Sequence, residues 1–384
     1  MKSGLSVSSV YLDANAAAPL RPEAKIALEK GLLEWGNPSS IHASGRRARG
    51  LLEEARHRIA GAVGASSQEI IFTSGGTEAN ALALKGINLP ELKVFVSGTD
   101  HDSVRKQGEF NTLLPVDQGG QVELNVLEEM LQKISPPFLC SVIWGHNETG
   151  VLNDVKKLAR LVQDRGGIFH TDAVQVLGKK TIEFQKHFDL MTLSSLKVGG
   201  PSGIGALVAR TSVPLGYIMA GGGQERGMRS GTLNVALAMA FAAAAEAADE
   251  KKTLEQERCR LWQKRIETRL QEVCPDCFVV GQEKERLANT SFISMPGVKT
   301  EVQLMAFDLA GISVSAGSAC SSGKIGPSAS LKAMGIPEEV FGTTIRVTTS
   351  WQNTDEDINF FIKNWEIIYE RMRSKQGVLN YGGI

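Results

Sequence analysis

Cysteine is scarce in this chain. The 384 residues include Cys140, Cys259, Cys274, Cys277 and Cys320. A sparse and odd set of cysteines argues against a disulfide framework and predicts a reducing compartment. The N-terminal residues also lack the continuous apolar run of a secretory signal. We therefore expect a cytoplasmic protein.

Excess charge and long apolar runs are also missing. The 42 Lys and Arg residues balance 42 Asp and Glu residues, so no basic excess exists to bind a phosphate backbone or an anionic membrane surface. The alanine-rich segment Gly231–Ala245 has 15 residues, whereas a helix needs about 20 apolar residues to cross a bilayer. Neither nucleic acid nor a membrane is an expected partner.

Glycine, in contrast, is abundant with 40 residues, and short β-rich runs alternate with helical patterns through the middle of the chain. The alternation is typical of βαβ units around a mostly parallel sheet, so the predicted fold class is α/β. The clearest predicted strands are Glu69–Phe72, Val94–Ser97, Leu139–Trp144, Gly167–Thr171 and Leu190–Leu193.

The pattern changes near residue 250. A charged helical stretch follows the alanine-rich segment there, and a second group of β-rich runs comes after it. We predict a large domain over residues 12–252. A small domain would contain residues 1–11 and 253–384.

Two segments carry polar residues at the ends of predicted strands. Thr73–Thr77 contains small residues at the start of a helical pattern, where free backbone N–H groups bind anions such as phosphate. A capped helix after a tight turn explains that segment about equally well. Asp172 follows a predicted strand, where it could hold a positively charged ring nitrogen or act as a helix cap.

Two further segments carry nucleophiles. Lys197 follows an apolar strand and precedes a glycine-rich turn, so partial desolvation could make its amine available for a Schiff base. On this segment alone, a surface lysine is the commoner interpretation. Cys320 lies among small, turn-forming residues without apolar cover, which indicates an exposed and reactive thiol.

These segments, together with His146–Gly150 and Arg226–Thr232, resemble the class V aminotransferase family of fold-type I enzymes. Within that family they resemble the NifS/IscS-type cysteine desulfurases, because the segment around Cys320 lacks the Arg-x-Gly-His-His-Cys pattern of the SufS-like branch. The resemblance extends from Tyr11 to about Met372. It implies a large domain with a mostly parallel seven-stranded sheet flanked by helices, and a smaller α+β C-terminal domain.

The resemblance also implies pyridoxal 5′-phosphate as the cofactor. Lys197 would form the Schiff base and move the substrate Cα proton, Asp172 would bind the ring nitrogen, and His101 would stack on the ring and transfer protons. Arg346 would bind the substrate carboxylate, and Asn147 would contact both cofactor and substrate. The remaining cofactor contacts would come from Gly76, Thr77, Gln175, Ser194 and Thr232. Thr232 would reach the phosphate bound by a partner subunit, which implies a homodimer.

The activity implied by the resemblance is the removal of sulfur from L-cysteine. L-Alanine would form together with a persulfide on Cys320, and a sulfur-acceptor protein, such as an iron–sulfur scaffold, would receive the sulfur. Leu196, however, stands where most relatives carry histidine directly before the Schiff base lysine. This departure prompts the alternative of an aminotransferase, and a selenocysteine lyase, another lyase of this fold and a subunit that needs a partner for activity also stay open.

The pair Cys274 and Cys277 has the C-x-x-C spacing of zinc and redox sites. A structural zinc site needs four ligands, and the sequence has no second pair. We interpret the spacing as a solvent-facing coincidence and expect no metal.

Overall fold

The computed structural model describes residues 9–108, 112–317 and 328–381. The chain forms two compact units. The larger unit contains Ala17–His146 and Leu152–Thr253, and the smaller contains Met1–Ala16, Asn147–Val151 and Leu254–Ile384. Each unit is therefore assembled from segments that are distant in the sequence.

The larger unit is built on a seven-stranded sheet. Its strands are β2 (Ile70–Thr73), β3 (Lys93–Ser97), β4 (Thr112–Leu114), β5 (Phe138–Ser141), β6 (Ile168–Asp172), β7 (Leu190–Ser194) and β8 (Gly205–Ala209). Their order is β2-β8-β7-β6-β5-β3-β4, and β8 is antiparallel to both of its neighbours while the other pairs are parallel. The α/β fold with a mostly parallel seven-stranded sheet is confirmed.

The central strands are buried along their whole length because helices cover the sheet. All residues of β5, β7 and β8 are buried, as expected for strands covered on both faces. The helices of the larger unit are α1 (Pro22–Leu32), α2 (Ala43–Val63), α3 (Gly76–Lys85), α4 (Asp102–Arg105), α5 (Leu124–Leu131), α6 (Val155–Asp164) and α7 (Phe184–His187). Buried residues of α3, such as Leu82 and Ala83, pack in one cluster with Ile71 and Leu207 of the sheet.

Helix α8 (Val235–Val273) is 39 residues long. Its first part is rich in buried alanine, and its second part places Trp262, Ile266 and Leu270 in the core of the smaller unit. The division between the units falls within this helix, between Thr253 and Leu254. Among the described residues, no helix combines the length and the apolar character needed to span a membrane.

The smaller unit contains two two-stranded sheets. Strand β1 (Val10–Tyr11) pairs in parallel with β10 (Ile312–Ser313), and β9 (Thr290–Ser294) pairs antiparallel with β11 (Thr344–Thr348). Its helices are α9 (Thr300–Leu309), α10 (Ala329–Ala333), α11 (Glu338–Phe341) and α12 (Asp355–Tyr381). Phe307 and Phe361 stack at 5.4 Å between ring centroids in its core.

The C-x-x-C pair does not face solvent, so that part of the sequence interpretation is wrong. α8 ends at Val273, and the turn that follows it packs Cys274 and Cys277 into the core of the smaller unit. The Cys277 thiol donates a hydrogen bond to the Ser294 carbonyl at 3.1 Å. Burial raises the pKa of Cys277 to about 12, which suits a packing role rather than thiolate chemistry.

Candidate active site

The candidate active site of the larger unit lies at the carboxyl ends of its parallel strands. Asp172 is the last residue of β6, and Ser194 is the last residue of β7. A short 3-10 turn, Ser195–Lys197, continues directly from β7 and carries the partly buried Lys197. Because β6 and β7 are parallel neighbours, the sheet brings these residues to one edge, where open α/β sheets bind ligands.

Asp172 is a buried carboxylate with a fixed plane. It is 4% exposed, and its Oδ1 accepts a hydrogen bond from the backbone N–H of Val174 at 3.0 Å. Its Oδ2 accepts from the Asn80 side-chain amide at 2.9 Å. Burial of a carboxylate costs free energy unless the group is hydrogen-bonded and paired with a positive charge. This arrangement fits the protonated ring nitrogen of pyridoxal phosphate.

His101 is connected to Asp172 through two further side chains. The Asn80 amide that donates to Asp172 also donates to the Ser103 hydroxyl at 2.9 Å. The Ser103 hydroxyl lies 2.8 Å from His101 Nδ1, and the Ser103 backbone N–H donates to the same nitrogen at 3.1 Å. These contacts fix the orientation of an imidazole that is otherwise exposed. No role was predicted for Asn80 or Ser103 from the sequence.

A second hydrogen-bonded histidine lies within the sheet. His170 on β6 is fully buried, with Nδ1 at 2.8 Å from the Ser141 hydroxyl and Nε2 at 3.0 Å from the Thr192 hydroxyl. Burial lowers the pKa of His170 to about 3, so the ring is neutral at physiological pH. Asp100 is also buried, and desolvation together with the charge of Asp172 raises the pKa of its carboxyl group.

The start of helix α3 fits a phosphate group. The helix begins at Gly76, and Thr77 is exposed in its first turn. A Cβ atom at Gly76 would lie 3.1 Å from Val174 Cγ2 and 3.7 Å from Ser194 Cβ, so only a residue without a side chain fits there without displacing Val174. Free N–H groups and the positive end of the helix dipole favour an anion at this end. The structure thus brings Gly76, Thr77 and Ser194 to one place.

The segment that carries Thr232 is attached to α2 and α3 by two ion pairs. Glu225 forms a two-pronged pair with Arg56, with both N–O distances at 2.7 Å, and also accepts from the Phe72 backbone N–H at 2.8 Å. Farther along the segment, Arg229 Nε lies 2.7 Å from Glu78 Oε1. Thr232 is exposed, and it lines a cleft together with Thr73, Ser74 and Arg229. The Arg56–Glu225 pair was not predicted from the sequence.

Substitution of Glu225 with alanine is expected to destabilise the protein by about 3–5 kcal/mol, because the buried Arg56 would lose its buried carboxylate partner and keep only the exposed Glu53 and the Ile70 carbonyl. Urea unfolding followed by circular dichroism measures the loss. Lys25→Ala, in the exposed pair of Lys25 with Glu29, is the control and should change the unfolding midpoint much less. Equal effects of the two substitutions would contradict the anchoring role of Glu225.

The larger unit also contains Gln175, a predicted cofactor contact, and Leu196, the departure from the family pattern. Gln175 is buried, and its Oε1 accepts a hydrogen bond from Lys179 Nζ at 3.4 Å. Leu196, in the place of the expected histidine, is partly buried, and its carbonyl accepts from the Ala18 N–H at 3.0 Å. The backbone at this position is therefore held by a contact that does not depend on the side chain.

The smaller unit holds Arg346 on β11. The guanidinium is 4% exposed, and its Nη2 donates to Asp13 Oδ1 at 2.7 Å. Its Nη1 donates to the carbonyls of Asn147 at 3.0 Å and Gly317 at 3.3 Å. Its Nε has no hydrogen-bond partner among the described residues. An unused buried donor on an ordered guanidinium fits a carboxylate ligand.

Cys320 lies outside the described residues, but the chain on both sides of it is described. On one side, Ser315 and Arg346 exchange backbone hydrogen bonds at 3.1 and 2.6 Å. On the other side, the buried Ser328 donates its hydroxyl hydrogen bond to Glu148 Oε1 at 3.1 Å. The two flanks of the Cys320 segment are thus anchored to β11 and to the segment Asn147–Val151.

The comparisons with known proteins identify the family of the chain. Residues 10–361 match the family model described as aminotransferase class-V. The chain is 37% identical over 378 residues to cysteine desulfurase IscS of Dictyoglomus turgidum, with 95% of each chain covered. It is 34% identical over 377 residues to cysteine desulfurase IscS 1 of Archaeoglobus fulgidus, with 95% of this chain and 98% of the relative covered.

A solved structure shows the same fold. The NifS-like protein from Rickettsia africae superposes with a TM-score of 0.88 at 33% identity, over 94% of this chain and 99% of that one. The matched residues include the carboxyl-end site of the sheet and β11 with Arg346. The chain therefore belongs to the aminotransferase class-V family.

Proposed function

We propose that the protein is a cysteine desulfurase that uses pyridoxal 5′-phosphate to convert L-cysteine to L-alanine. The observation that carries the proposal is the edge of the sheet, where the buried Asp172 and the lysine Lys197 follow neighbouring parallel strands. The similarity to the IscS and NifS-like proteins over most of the chain supports the substrate.

The cofactor fits the residues at this edge. In the proposal, the start of α3 with Gly76 and Thr77 binds the phosphate together with Ser194, and Asp172 binds the ring nitrogen. His101 lies against the ring face, and Gln175 binds the ring oxygen. When bound, the cofactor supplies an electron sink for the bonds around the substrate Cα.

The protein supplies the proton and sulfur steps. Lys197 binds the cofactor and then moves the substrate Cα proton as a general base. Arg346 and Asn147 bind the substrate carboxylate. The Cys320 thiolate attacks the substrate sulfur, the carbon–sulfur bond breaks, and the substrate carbon gains a proton. The net reaction converts L-cysteine and a thiol to L-alanine and a persulfide, so atoms and electrons balance without an added oxidant.

We further propose a homodimer in the cytoplasm. Several large apolar side chains between residues 32 and 41 are exposed in the single chain, including Trp35 at 82% and Ile41 at 88%. Exposed apolar clusters of this kind are typical of interaction surfaces. In the dimer, Thr232 would contact the phosphate bound by the partner subunit. A sulfur-acceptor protein would then take the persulfide sulfur from Cys320.

The assay that tests the function measures alanine and sulfide from L-cysteine with purified protein, pyridoxal phosphate and a thiol reductant. We expect alanine and sulfide in equal amounts. The same assay with L-selenocysteine tests a selenocysteine lyase, and consumption of an added keto acid tests an aminotransferase, the hypothesis that Leu196 prompts. Cofactor binding without any alanine would overturn the proposal for the protein acting alone. Alanine that formed only with a second protein present would indicate a partner-dependent subunit.

A further inference from the structure

Asn80 is an unusual buried residue. It is 1% exposed, both of its amide N–H groups are used, and its Oδ1 has no hydrogen-bond partner among the described residues. A buried acceptor without a partner is unfavourable, and such groups call for an explanation beyond packing. The two acceptors of Asn80 are Asp172 and Ser103, so the side chain joins the end of β6 to α4.

The direction of each hydrogen bond in this chain follows from the donors. A carboxylate only accepts, so Asn80 presents its NH2 group to Asp172, and the second N–H of that group donates to Ser103. The Ser103 hydroxyl, occupied as an acceptor, can donate to His101 Nδ1. The Ser103 backbone N–H also donates to the same nitrogen at a longer distance, 3.1 Å against 2.8 Å for the hydroxyl, so the two donors together make Nδ1 an acceptor. The proton of the neutral ring therefore lies on Nε2.

We propose that Asn80 and Ser103 are positioning residues that couple Asp172 to His101 through one chain of hydrogen bonds. Asn80 fixes the plane of the Asp172 carboxylate, and Ser103 fixes the orientation and the Nε2–H tautomer of His101. This inference rests on the proposed function, in which both end residues contact the cofactor. It assigns the Nε2 atom of His101 as the proton-carrying atom that faces the bound ligand.

The two positioning residues should affect different properties. Ser103→Ala removes the hydroxyl donor from Nδ1 but keeps the backbone N–H, so the ring is held by a single, longer contact. We expect a mixture of histidine tautomers, alanine formation lowered by about 10-fold, and a Kd for pyridoxal phosphate within about twofold of wild type. Asn80→Ala removes a donor from Asp172, and we expect it to raise that Kd by about 10-fold.

The decisive experiment is nitrogen-15 NMR of the histidine rings in the cofactor-loaded protein. The chain has six histidines, and His101→Gln identifies the His101 signals. We expect wild type to show an unprotonated Nδ1 and a protonated Nε2 for His101. Ser103→Ala should shift the signals toward a mixture, and Ser103→Thr, which restores a hydroxyl, should return them. A purely structural role of Ser103 would change stability but not the tautomer.

Ser141→Ala is the matched control, because it removes the same kind of serine–histidine contact from His170 at the same 2.8 Å distance. It should change the His170 signals and leave the His101 tautomer in place. Unchanged His101 signals in Ser103→Ala, or equal effects of Asn80→Ala and Ser103→Ala on cofactor Kd, would overturn the inference. If Asn80→Ala does not fold, the tautomer in Ser103→Ala alone decides.

These readouts separate this inference from the proposed function. Tautomer and cofactor Kd are measured without L-cysteine. A wild-type protein that binds the cofactor but forms no alanine would overturn the desulfurase proposal, while the NMR result would still support or contradict the hydrogen-bond chain.

Discussion

Lys197→Ala is expected to lower alanine formation from L-cysteine by about 10³-fold or more. The substitution removes both the amine that binds the cofactor and the general base for the substrate Cα proton, and each role supports a large part of the rate. The position explains why another lysine cannot replace it, since the 3-10 turn Ser195–Lys197 continues directly from β7 at the carboxyl edge of the sheet. Alanine production and the visible absorbance of bound cofactor measure the effect.

The control for this substitution is Lys133→Ala, at an exposed lysine of the same unit. It should leave both the absorbance and the rate close to wild type. Borohydride reduction followed by mass spectrometry should place the cofactor on the peptide that contains Lys197. Labelling of a different lysine, or a Lys197→Ala protein that retained a tenth of the wild-type rate, would contradict the assignment.

Cys320→Ala is expected to abolish the protein-bound persulfide and to reduce alanine formation to below about 1% of wild type, because the sulfur nucleophile is removed. The other four cysteines cannot take over, since all of them are buried. Burial raises the pKa of Cys140 to about 12 and that of Cys277 to about 12, whereas attack on sulfur requires a thiolate. Mass spectrometry of the protein after incubation with L-cysteine detects the persulfide.

Cys259→Ala provides the matched cysteine control. Cys259 lies on α8 and packs in the core of the smaller unit, so its loss should reduce stability modestly and leave the persulfide in place. A Cys320→Ala protein that made alanine at the wild-type rate would eliminate the thiolate attack from the mechanism. A persulfide found on any other cysteine would do the same.

The strands predicted from the sequence correspond to β2, β3, β5, β6 and β7, whereas β4 and the antiparallel β8 were not predicted. Strand β7 is Leu-Met-Thr-Leu-Ser and is buried at every position, and a mostly apolar run of this length is the pattern of a strand covered on both faces. Strand β8 is Gly-Ala-Leu-Val-Ala and directly follows a glycine-rich turn, and it has only one of the β-branched or aromatic residues that are typical of strands. Its antiparallel direction depends on pairing with β2 and β7, which a single sequence does not contain.

The candidate site shows a similar division. The places of Asp172 and Lys197 at the ends of predicted strands made them candidates, and the family resemblance assigned each a chemical role. Their supporting residues could not be identified in this way. Asn80 and Asp172 are 92 positions apart, and Arg56 and Glu225 are 169 apart, so the contacts exist only after the strands and helices have packed. In the sequence, Asn80 is an ordinary polar residue of a predicted helix. Its role is apparent only from the two acceptors of its amide in the structure.

The contacts of Arg346 have a consequence for the entropy of substrate binding. A free arginine side chain loses about 2 kcal/mol of rotamer entropy when it is fixed in one conformation. Arg346 is already fixed by Asp13 and by the carbonyls of Asn147 and Gly317. The guanidinium is therefore already ordered in the folded protein. A carboxylate that binds to Arg346 causes little further loss of side-chain conformational entropy.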